Sequence, residues 1–222
     1  LTEYGVTSIE LGSQSMCDDV LLMNNRGHSA EDTKIATRLI KAKGFSVGLQ
    51  MMTGLYASTH EKDLYTAEEI IKLAPDTVRI YPTITIKNTM LGNLYENGKY
   101  IPPALDETTE LCAKLTIMFW ENNIKVIKTG LHASRELESK MLAGPYHPSF
   151  GELVMNEIML QRLLPQLKGV KSQEILIEVA RGEVSKMIGQ KRRNLIYLEN
   201  MGLHVKIIQG DSIPPLSPMI KI

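Results

Sequence analysis

Three consecutive cations, Lys191, Arg192 and Arg193, follow Gly189 near the end of the chain. The apolar pattern predicts that one helix ends just before this glycine and that another begins at Arg193. Gly189 permits the sharp turn that such a pair of helices requires. Cations beside the free N–H groups of a helix start attract phosphate. Two interpretations stay open: the loop contacts a phosphate-bearing partner, or it is a solvated loop on a small capping domain.

The chain contains Cys17 and Cys112 and no other cysteine. Two cysteines so far apart in sequence argue against a disulfide framework and favour a reducing cytoplasm. His28 and His147 have no second ligand at metal-binding spacing, so we predict hydrogen-bonded loop histidines and no metal site. Four methionines in the first part of the chain are interpreted as core filler rather than ligands: Met16, Met23, Met51 and Met52.

The formal net charge is zero, so overall charge alone suggests no polyanionic partner. From Gly169 onward, however, eight basic side chains stand against five acidic ones, which suggests two parts with different partners. No apolar run approaches the roughly 18 residues of a membrane span, and no signal-peptide pattern opens the chain. Because the chain begins at Leu1 and soon enters a strand-like pattern, we expect it to be a piece of a longer protein.

Short apolar runs that are typical of strands alternate with helical patterns through roughly the first 165 residues. The predicted strands are Gly5–Gly12, Phe45–Met51, Thr77–Tyr81 and Lys125–Leu131. The predicted helices are Asp18–Met23, Ala30–Lys43 with Ser29 as N-cap and Gly44 as stop, Glu61–Leu73 and Glu107–Asn122. Repeated βα units imply an α/β fold with a parallel sheet, and too few strands occur here to close an eight-stranded barrel.

A different pattern begins after a predicted amphipathic helix at Pro148–Leu167. It reads as strand Glu174–Ala180, helix Glu183–Ile188, helix Arg193–Met201 and strand Leu203–Gln209, a small α+β unit of βααβ order. We therefore predict two domains, residues 1–167 and residues 168–222, joined at Lys168-Gly169. The tail around Pro214 is expected to be irregular.

Several motifs occur in a characteristic order: GVTSIELGSQSM, NNRGHSAEDT, GFSVGLQMMTGL and PDTVRIYPTITIKNTML, followed by VIKTGLH and AGPYHPSFGELV. Over residues 4–155 this order resembles radical S-adenosylmethionine proteins of the Elongator-like kind and, more distantly, the oxygen-independent coproporphyrinogen dehydrogenases. The resemblance implies a partial (β/α) barrel, here lacking its first strands. It also implies a [4Fe–4S] cluster in a Cys-x3-Cys-x2-Cys loop that cleaves S-adenosylmethionine to a radical. Because Cys17 and Cys112 cannot form that loop, we expect this chain alone to bind no cluster and to be inactive.

The resemblance also implies residues that bind S-adenosylmethionine. Gln14 and Arg26 match family positions that face the cofactor, and Arg26 would pair with its carboxylate. Glu10 and Gln50 are weaker candidates: Glu10 alternatively points to solvent, and Gln50 stands where the porphyrinogen enzymes usually carry an acid. For Arg26 the alternative is a structural role in its loop. Two roles stay open for Arg79, Tyr81 and Lys128: they contact the substrate, or they pack and form ion pairs.

Residues 174–208 resemble the minimal KH motif, in which a GXXG loop clamps single-stranded nucleic acid. The loop here is Gly189-Gln190-Lys191-Arg192, with Arg192 in place of the second glycine. The resemblance implies RNA or tRNA as a partner, contacted by Gly189, Lys191, Arg192 and Arg193.

Two functions follow as alternatives. In the first, the intact protein is an iron–sulfur radical enzyme, an oxidoreductase or transferase of the cytoplasm that acts on an unknown substrate, RNA among the candidates. In the second, it is a non-catalytic nucleic-acid-binding protein that acts through the KH-like domain. Elongator-type relatives modify tRNA and carry an acetyltransferase domain, for which the KH-like unit leaves no room here. The sequence indicates no catalytic residue, no membrane partner and no oligomeric state.

Overall fold

The computed structural model describes residues 2–221. The chain divides into two compact units, the first running to Phe150 and the second beginning at Gly151. Within residues 2–221, every helix falls short of the length and apolar character that crossing a membrane requires.

The first unit alternates strands and helices, as predicted. Its strands are β1 (Ser8–Gln14), β2 (Ser46–Thr53), β3 (Thr77–Pro82), β4 (Thr85–Ile86), β5 (Lys125–Thr129) and β6 (Met141–Ala143). Its helices are α1 (Asp18–Met23), α2 (Ala30–Ala42), α3 (His60–Leu73), α4 (Met90–Glu96), α5 (Leu105–Glu121) and α6 (Arg135–Lys140). The main sheet is parallel with strand order β1-β2-β3-β5, and β4 pairs with β6 antiparallel. The predicted α/β fold with a parallel sheet is confirmed, and the partial barrel stays a prediction.

Local sequence patterns predicted some element ends correctly and others incorrectly. Ser29 caps α2 through a reciprocal pair of hydrogen bonds with Asp32, so the predicted N-cap is confirmed. Helix α1 has the predicted bounds. The predicted strand Gly5–Gly12 was wrong at both ends, because Gly5 lies in a turn with a φ of 71° and the strand continues to Gln14.

The second unit begins within α7 (Phe150–Leu163). It continues with β7 (Glu174–Ala180), α8 (Val184–Ile188), α9 (Arg193–Asn200), β8 (His204–Gly210) and β9 (Met219–Lys221). Its sheet has the order β8-β7-β9, with β8 parallel and β9 antiparallel to β7. The observed order β7-α8-α9-β8 is the predicted βααβ order. The similarity of this unit to KH domains stays a prediction.

The core of the second unit explains why it begins before the expected junction at Lys168. Met159, Leu160 and Leu163 of α7 lie in one buried cluster with apolar side chains from the strands and helices that follow: Ile175, Ile177, Val179, Met187 and Leu198. Helix α7 therefore packs with the tail that the sequence analysis had separated from it.

Candidate functional site

The main sheet of the first unit has one buried face and one polar face. On the buried face, Leu49 and Met51 of β2 and Val78 and Ile80 of β3 are fully buried. Successive residues of a strand point to opposite faces, and paired residues of parallel strands point to the same one. The intervening positions therefore define a second face, which we call the open face.

Glu10, Gln50 and Arg79 form a connected cluster on the open face. The Arg79 Nη2 donates to Glu10 Oε1 at 2.9 Å, and Arg79 Nε lies 2.8 Å from Glu10 Oε2. Gln50 Nε2 donates to Glu10 Oε2 at 2.9 Å. The hydrogen bond from Arg79 is the main reason that the pKa of Glu10 lies below its ordinary value. Glu10 is thus ion-paired, and of the two roles left open for Arg79 the structure shows ion pairing.

Gln14 reaches the same face through an irregularity at the end of β1. The pairing of β1 with β2 shifts register between Gly12 and Gln14, and Gln14 adopts a φ of 58°. The side-chain amide of Gln14 then lies over Gly12, where a Cβ atom would collide with it. Because Gly12 pairs with Gln50, Gln14 lies beside the cluster described above. A bulge that re-aims a side chain is common near functional sites.

Arg26 lies at the carboxyl end of the sheet. Its Nη2 contacts the sulfur of Met52 at 3.5 Å, and Met52 lies two residues after Gln50 on β2. Arg26 also lines a cavity of about 340 Å³, which we call the Arg26 cavity. Its walls include Asn25, Met52, Leu55, Tyr56 and Thr83.

Thr83 provides a polar group inside that wall. Its side chain is buried, and its hydroxyl has no hydrogen-bond partner among the described residues. The Arg26 cavity thus combines a guanidinium with apolar walls from Met52, Leu55 and Tyr56.

The turn between β2 and α3 supplies Leu55 and Tyr56 to this cavity, and hydrogen bonds to side chains outside the turn hold it. Asp63 accepts from the Gly54 N–H at 3.0 Å and from the Ser58 hydroxyl at 2.6 Å. Tyr100 donates to the Gly54 carbonyl at 2.7 Å, and Asn24 donates to the Tyr56 carbonyl at 2.8 Å. Burial raises the pKa of Asp63 to about 6.

The structure places the predicted cofactor residues Glu10, Gln14, Gln50 and Arg26 on one side of the sheet, although their roles stay predictions. Sequence reasoning missed Thr83, Tyr56 and Asp63. Met52 was interpreted as core filler, which is wrong, because it faces the open side two residues after Gln50 and contacts Arg26. That two-residue spacing was the available signal; Thr83 and Asp63 carry none, since only folding buries them.

The filler interpretation holds for Met16 and Met51, which are buried, and is wrong for Met23, which is exposed. His28 is hydrogen-bonded as predicted, with Nε2 lying 3.2 Å from the Ser13 carbonyl oxygen.

The two cysteines do not fit an iron–sulfur cluster. Cys112 is fully buried, and burial raises its thiol pKa to about 12. The Cys17 thiol lies 3.9 Å from the Lys62 carbonyl oxygen, and its pKa is also raised by burial. Cluster ligation requires closely spaced thiolates. Across residues 2–221, no group of three or more His, Cys, Asp or Glu side chains is arranged to hold a metal ion.

The cationic loop of the second unit, residues 189–193, has an unusual backbone. Gly189 has a φ of 77°, and Lys191 and Arg192 both adopt left-handed conformations with φ of 51° and 64°. Arg192 pairs with Glu199 at 3.1 Å, and α9 begins at Arg193 without a side-chain cap. Left-handed non-glycine residues store strain and cluster at functional sites.

The chain is similar to a known protein family and to several known proteins. Residues 75–160 match the family described as the Radical_SAM C-terminal domain. The tRNA uridine(34) acetyltransferase of Methanocaldococcus infernus is 31% identical over 160 residues, which cover 69% of this chain and 29% of that protein. The human Elongator complex protein 3 is 28% identical over 181 residues, which cover 79% and 31%.

A solved structure is similar as well. The archaeal Methanocaldococcus infernus Elp3 with an N-terminal deletion matches with a TM-score of 0.60 and 28% identity, over 77% of this chain and 38% of that one. The chain thus spans about a third of the length of the relatives it matches. These matches confirm the resemblance to radical S-adenosylmethionine proteins of the Elongator-like kind.

Proposed function

We propose that the open sheet face of this chain binds S-adenosylmethionine in the intact protein. The proposal starts from the relationship of the chain to the Elongator-like radical S-adenosylmethionine proteins. The observation that carries this proposal is the placement of Glu10, Gln14 and Gln50 on one face with Arg26 at its carboxyl end. Ligands of α/β folds collect at the carboxyl ends of parallel strands.

Each group of the cofactor has a suitable counterpart here. The Arg26 guanidinium would pair with the methionyl carboxylate, since a planar fork of N–H donors matches two carboxylate oxygens. Glu10, held ionised by Arg79, would accept from the ammonium or the ribose hydroxyls. The amides of Gln14 and Gln50 would complete these hydrogen bonds. Met52 and Tyr56 would offer apolar surface to the adenine.

In the intact protein, bound S-adenosylmethionine would supply the 5′-deoxyadenosyl radical that abstracts hydrogen from a substrate. Because Cys17 and Cys112 do not fit a cluster, we assign the cluster ligands to residues outside this chain. The name of the archaeal relative, tRNA uridine(34) acetyltransferase, describes acetyl transfer to tRNA, and only RNA as a substrate class is carried over here. Oxidoreductase or transferase chemistry is part of the proposal for the intact protein alone.

Replacing Arg26 tests the binding site directly. In the intact protein, Arg26→Ala should weaken S-adenosylmethionine binding by about 1.5–3 kcal/mol, the range for a lost hydrogen bond to a charged group. Calorimetric titration measures the change. Arg38→Ala is the matched control, because Arg38 is an exposed arginine of α2 with only a 3.7 Å contact to Glu31. Equal affinity of the Arg26 variant and the control for S-adenosylmethionine would show that Arg26 does not bind the cofactor.

The second candidate function, RNA binding by the cationic loop, is favoured by its charge. Lys191 and Arg192 are exposed, and Arg193 opens a helix whose first N–H groups lack a side-chain cap. These charges and the positive end of the helix together attract phosphate. Such contacts release counterions, so the affinity of this loop for RNA should fall with salt.

A triple substitution tests the loop. Replacing Lys191, Arg192 and Arg193 with Ala should weaken binding to single-stranded RNA and reduce the salt slope by about 0.7 per lost phosphate contact. Replacing Lys168, Lys171 and Lys206 removes the same charge from other exposed positions of this unit and should have a smaller effect on both quantities. If both triple variants behave alike, general charge rather than this loop binds the RNA.

A further inference from the structure

Helix α9 exposes an apolar surface directly after the cationic loop. Ile196, Tyr197 and Met201, the residue after its last turn, are 46%, 47% and 51% exposed, whereas Asn194 and Leu198 are buried. Apolar side chains of a short helix normally face the core, as Leu198 does. Outward-facing apolar neighbours on one short helix form a candidate contact surface. We call Ile196, Tyr197 and Met201 the Tyr197 face.

The Tyr197 face is continuous with positive charge. Arg193 lies four residues before Tyr197 and three before Ile196, so all three lie on the same side of the helix. Lys191 precedes them in the loop, is exposed and has no ion pair among the residues described. Glu199, three residues after Ile196, lies at the edge of this face, where it pairs with Arg192 at 3.1 Å.

This arrangement fits a ligand that is anionic along one edge and flat and apolar along the other. Single-stranded RNA has this chemistry, because its phosphates and its bases lie on different sides of the strand. Aromatic side chains stack on bases of any sequence beside basic grooves that follow the backbone. An acidic peptide would match the cations, but it offers no flat groups to an exposed tyrosine ring.

We infer that the Tyr197 face stacks against bases of a single-stranded RNA whose phosphates lie along the cationic loop. The inference rests on the proposed RNA-binding function, and it adds a contact surface and a sequence-tolerant mode of recognition. Tyr197 supplies the stacking ring, and Ile196 and Met201 supply the apolar surface on either side of it. Lys191 and Arg193 hold the backbone by charge.

The test is the binding of a fluorescent oligouridylate to the 222-residue chain at several salt concentrations. Tyr197→Ala should weaken binding by about 5- to 150-fold, the loss of one stacked base, while leaving the salt slope unchanged. Tyr197→Phe keeps the ring and should retain wild-type affinity. Tyr65→Ala is the matched control, because Tyr65 is 44% exposed on a helix of the other unit.

The outcomes separate this inference from the function on which it rests. If the wild-type chain binds no oligouridylate, both the RNA-binding function and the stacking surface are wrong. If the wild type binds with a salt-dependent affinity that Tyr197→Ala does not change, only the stacking surface is wrong. A loss in Tyr197→Phe equal to that in Tyr197→Ala would also overturn stacking, since the ring is still present. Self-association that Tyr197→Ala abolishes would assign the face to a second copy of the chain instead.

Discussion

Glu10 reaches Arg79 because Gly48 leaves the intervening strand without a side chain. Gly48 pairs with Glu10 on one side and with Thr77 on the other. A Cβ atom at Gly48 would lie 2.7 Å from Cγ of Glu10. The carboxylate therefore crosses β2 over this glycine to meet the guanidinium two residues farther along β3. At the scale of single residues, a missing side chain positions the polar cluster of the open face.

Asp63 offers a test at the same scale. It is 3% exposed, and burial raises its pKa from 3.8 to about 6. A folded-state pKa above the unfolded value means that the folded protein binds the proton more tightly. The resulting stability is present below about pH 4 and is lost as the pH rises through about 6.

We therefore expect the free energy of unfolding of the wild type to fall relative to that of Asp63→Asn between about pH 4 and about pH 7. The expected difference is about 2–3 kcal/mol, from a shift of roughly two units at 1.36 kcal/mol each. The asparagine resembles the protonated acid and does not titrate. Urea unfolding at both pH values measures the difference. An equal change in the free energy of unfolding of the two proteins would show that burial does not shift the pKa of Asp63.

At the scale of elements, the turn from α8 into α9 depends on Gly189. Its φ of 77° and ψ of 160° fall in a region that is essentially restricted to glycine. A Cβ atom there would lie 3.0 Å from Cγ and 3.1 Å from the backbone nitrogen of Asn194. Asn194 is itself buried and donates to the Asn156 carbonyl at 2.8 Å, so it has little room to move.

Gly189→Ala should lower the free energy of unfolding of the second unit by about 2–3 kcal/mol, because backbone strain and crowding add. Gly202→Ala is the comparison: its φ is 82°, but no atom lies within 4 Å of the added Cβ. Strain alone should cost about 1 kcal/mol at that position. Denaturant unfolding followed by circular dichroism compares the two variants, and equal losses would mean that Asn194 does not restrict Gly189.

The elements that sequence reasoning predicted are those with long apolar patterns or clear caps. Helix α1 and strand β7 have the predicted bounds, and Ser29 was recognised by its capping chemistry. The missed elements are short ones whose few residues carry no periodic signal: β4, α4, α6, β6 and β9. Strand β9 follows a proline-rich stretch and is defined by its pairing with β7, which is a tertiary property.

The candidate site was predictable only in part. The resemblance indicated Glu10, Gln14, Gln50 and Arg26. The parallel sheet places the first three on one face, and Arg26 lies at its carboxyl end. The orientation of Gln14 depends on a register shift that alternation of residues does not reveal. The unpaired, buried hydroxyl of Thr83 depends on which groups surround it after folding.

At the scale of the whole molecule, the chain joins two compact units with different surfaces. The first has a polar sheet face that ends at the Arg26 cavity, and the second has a cationic loop followed by the Tyr197 face. Each unit carries one proposed binding function. The matched relatives are about three times longer than the matched region.

The most direct test of the central proposal is a structure of the intact, cluster-loaded protein with S-adenosylmethionine bound. We expect the methionyl carboxylate about 2.7–2.9 Å from the Arg26 guanidinium, the distance of a charge-assisted hydrogen bond. Glu10, Gln14 and Gln50 should line the remainder of the cofactor. A cofactor bound away from the open face, with Arg26 directed to solvent, would contradict the account.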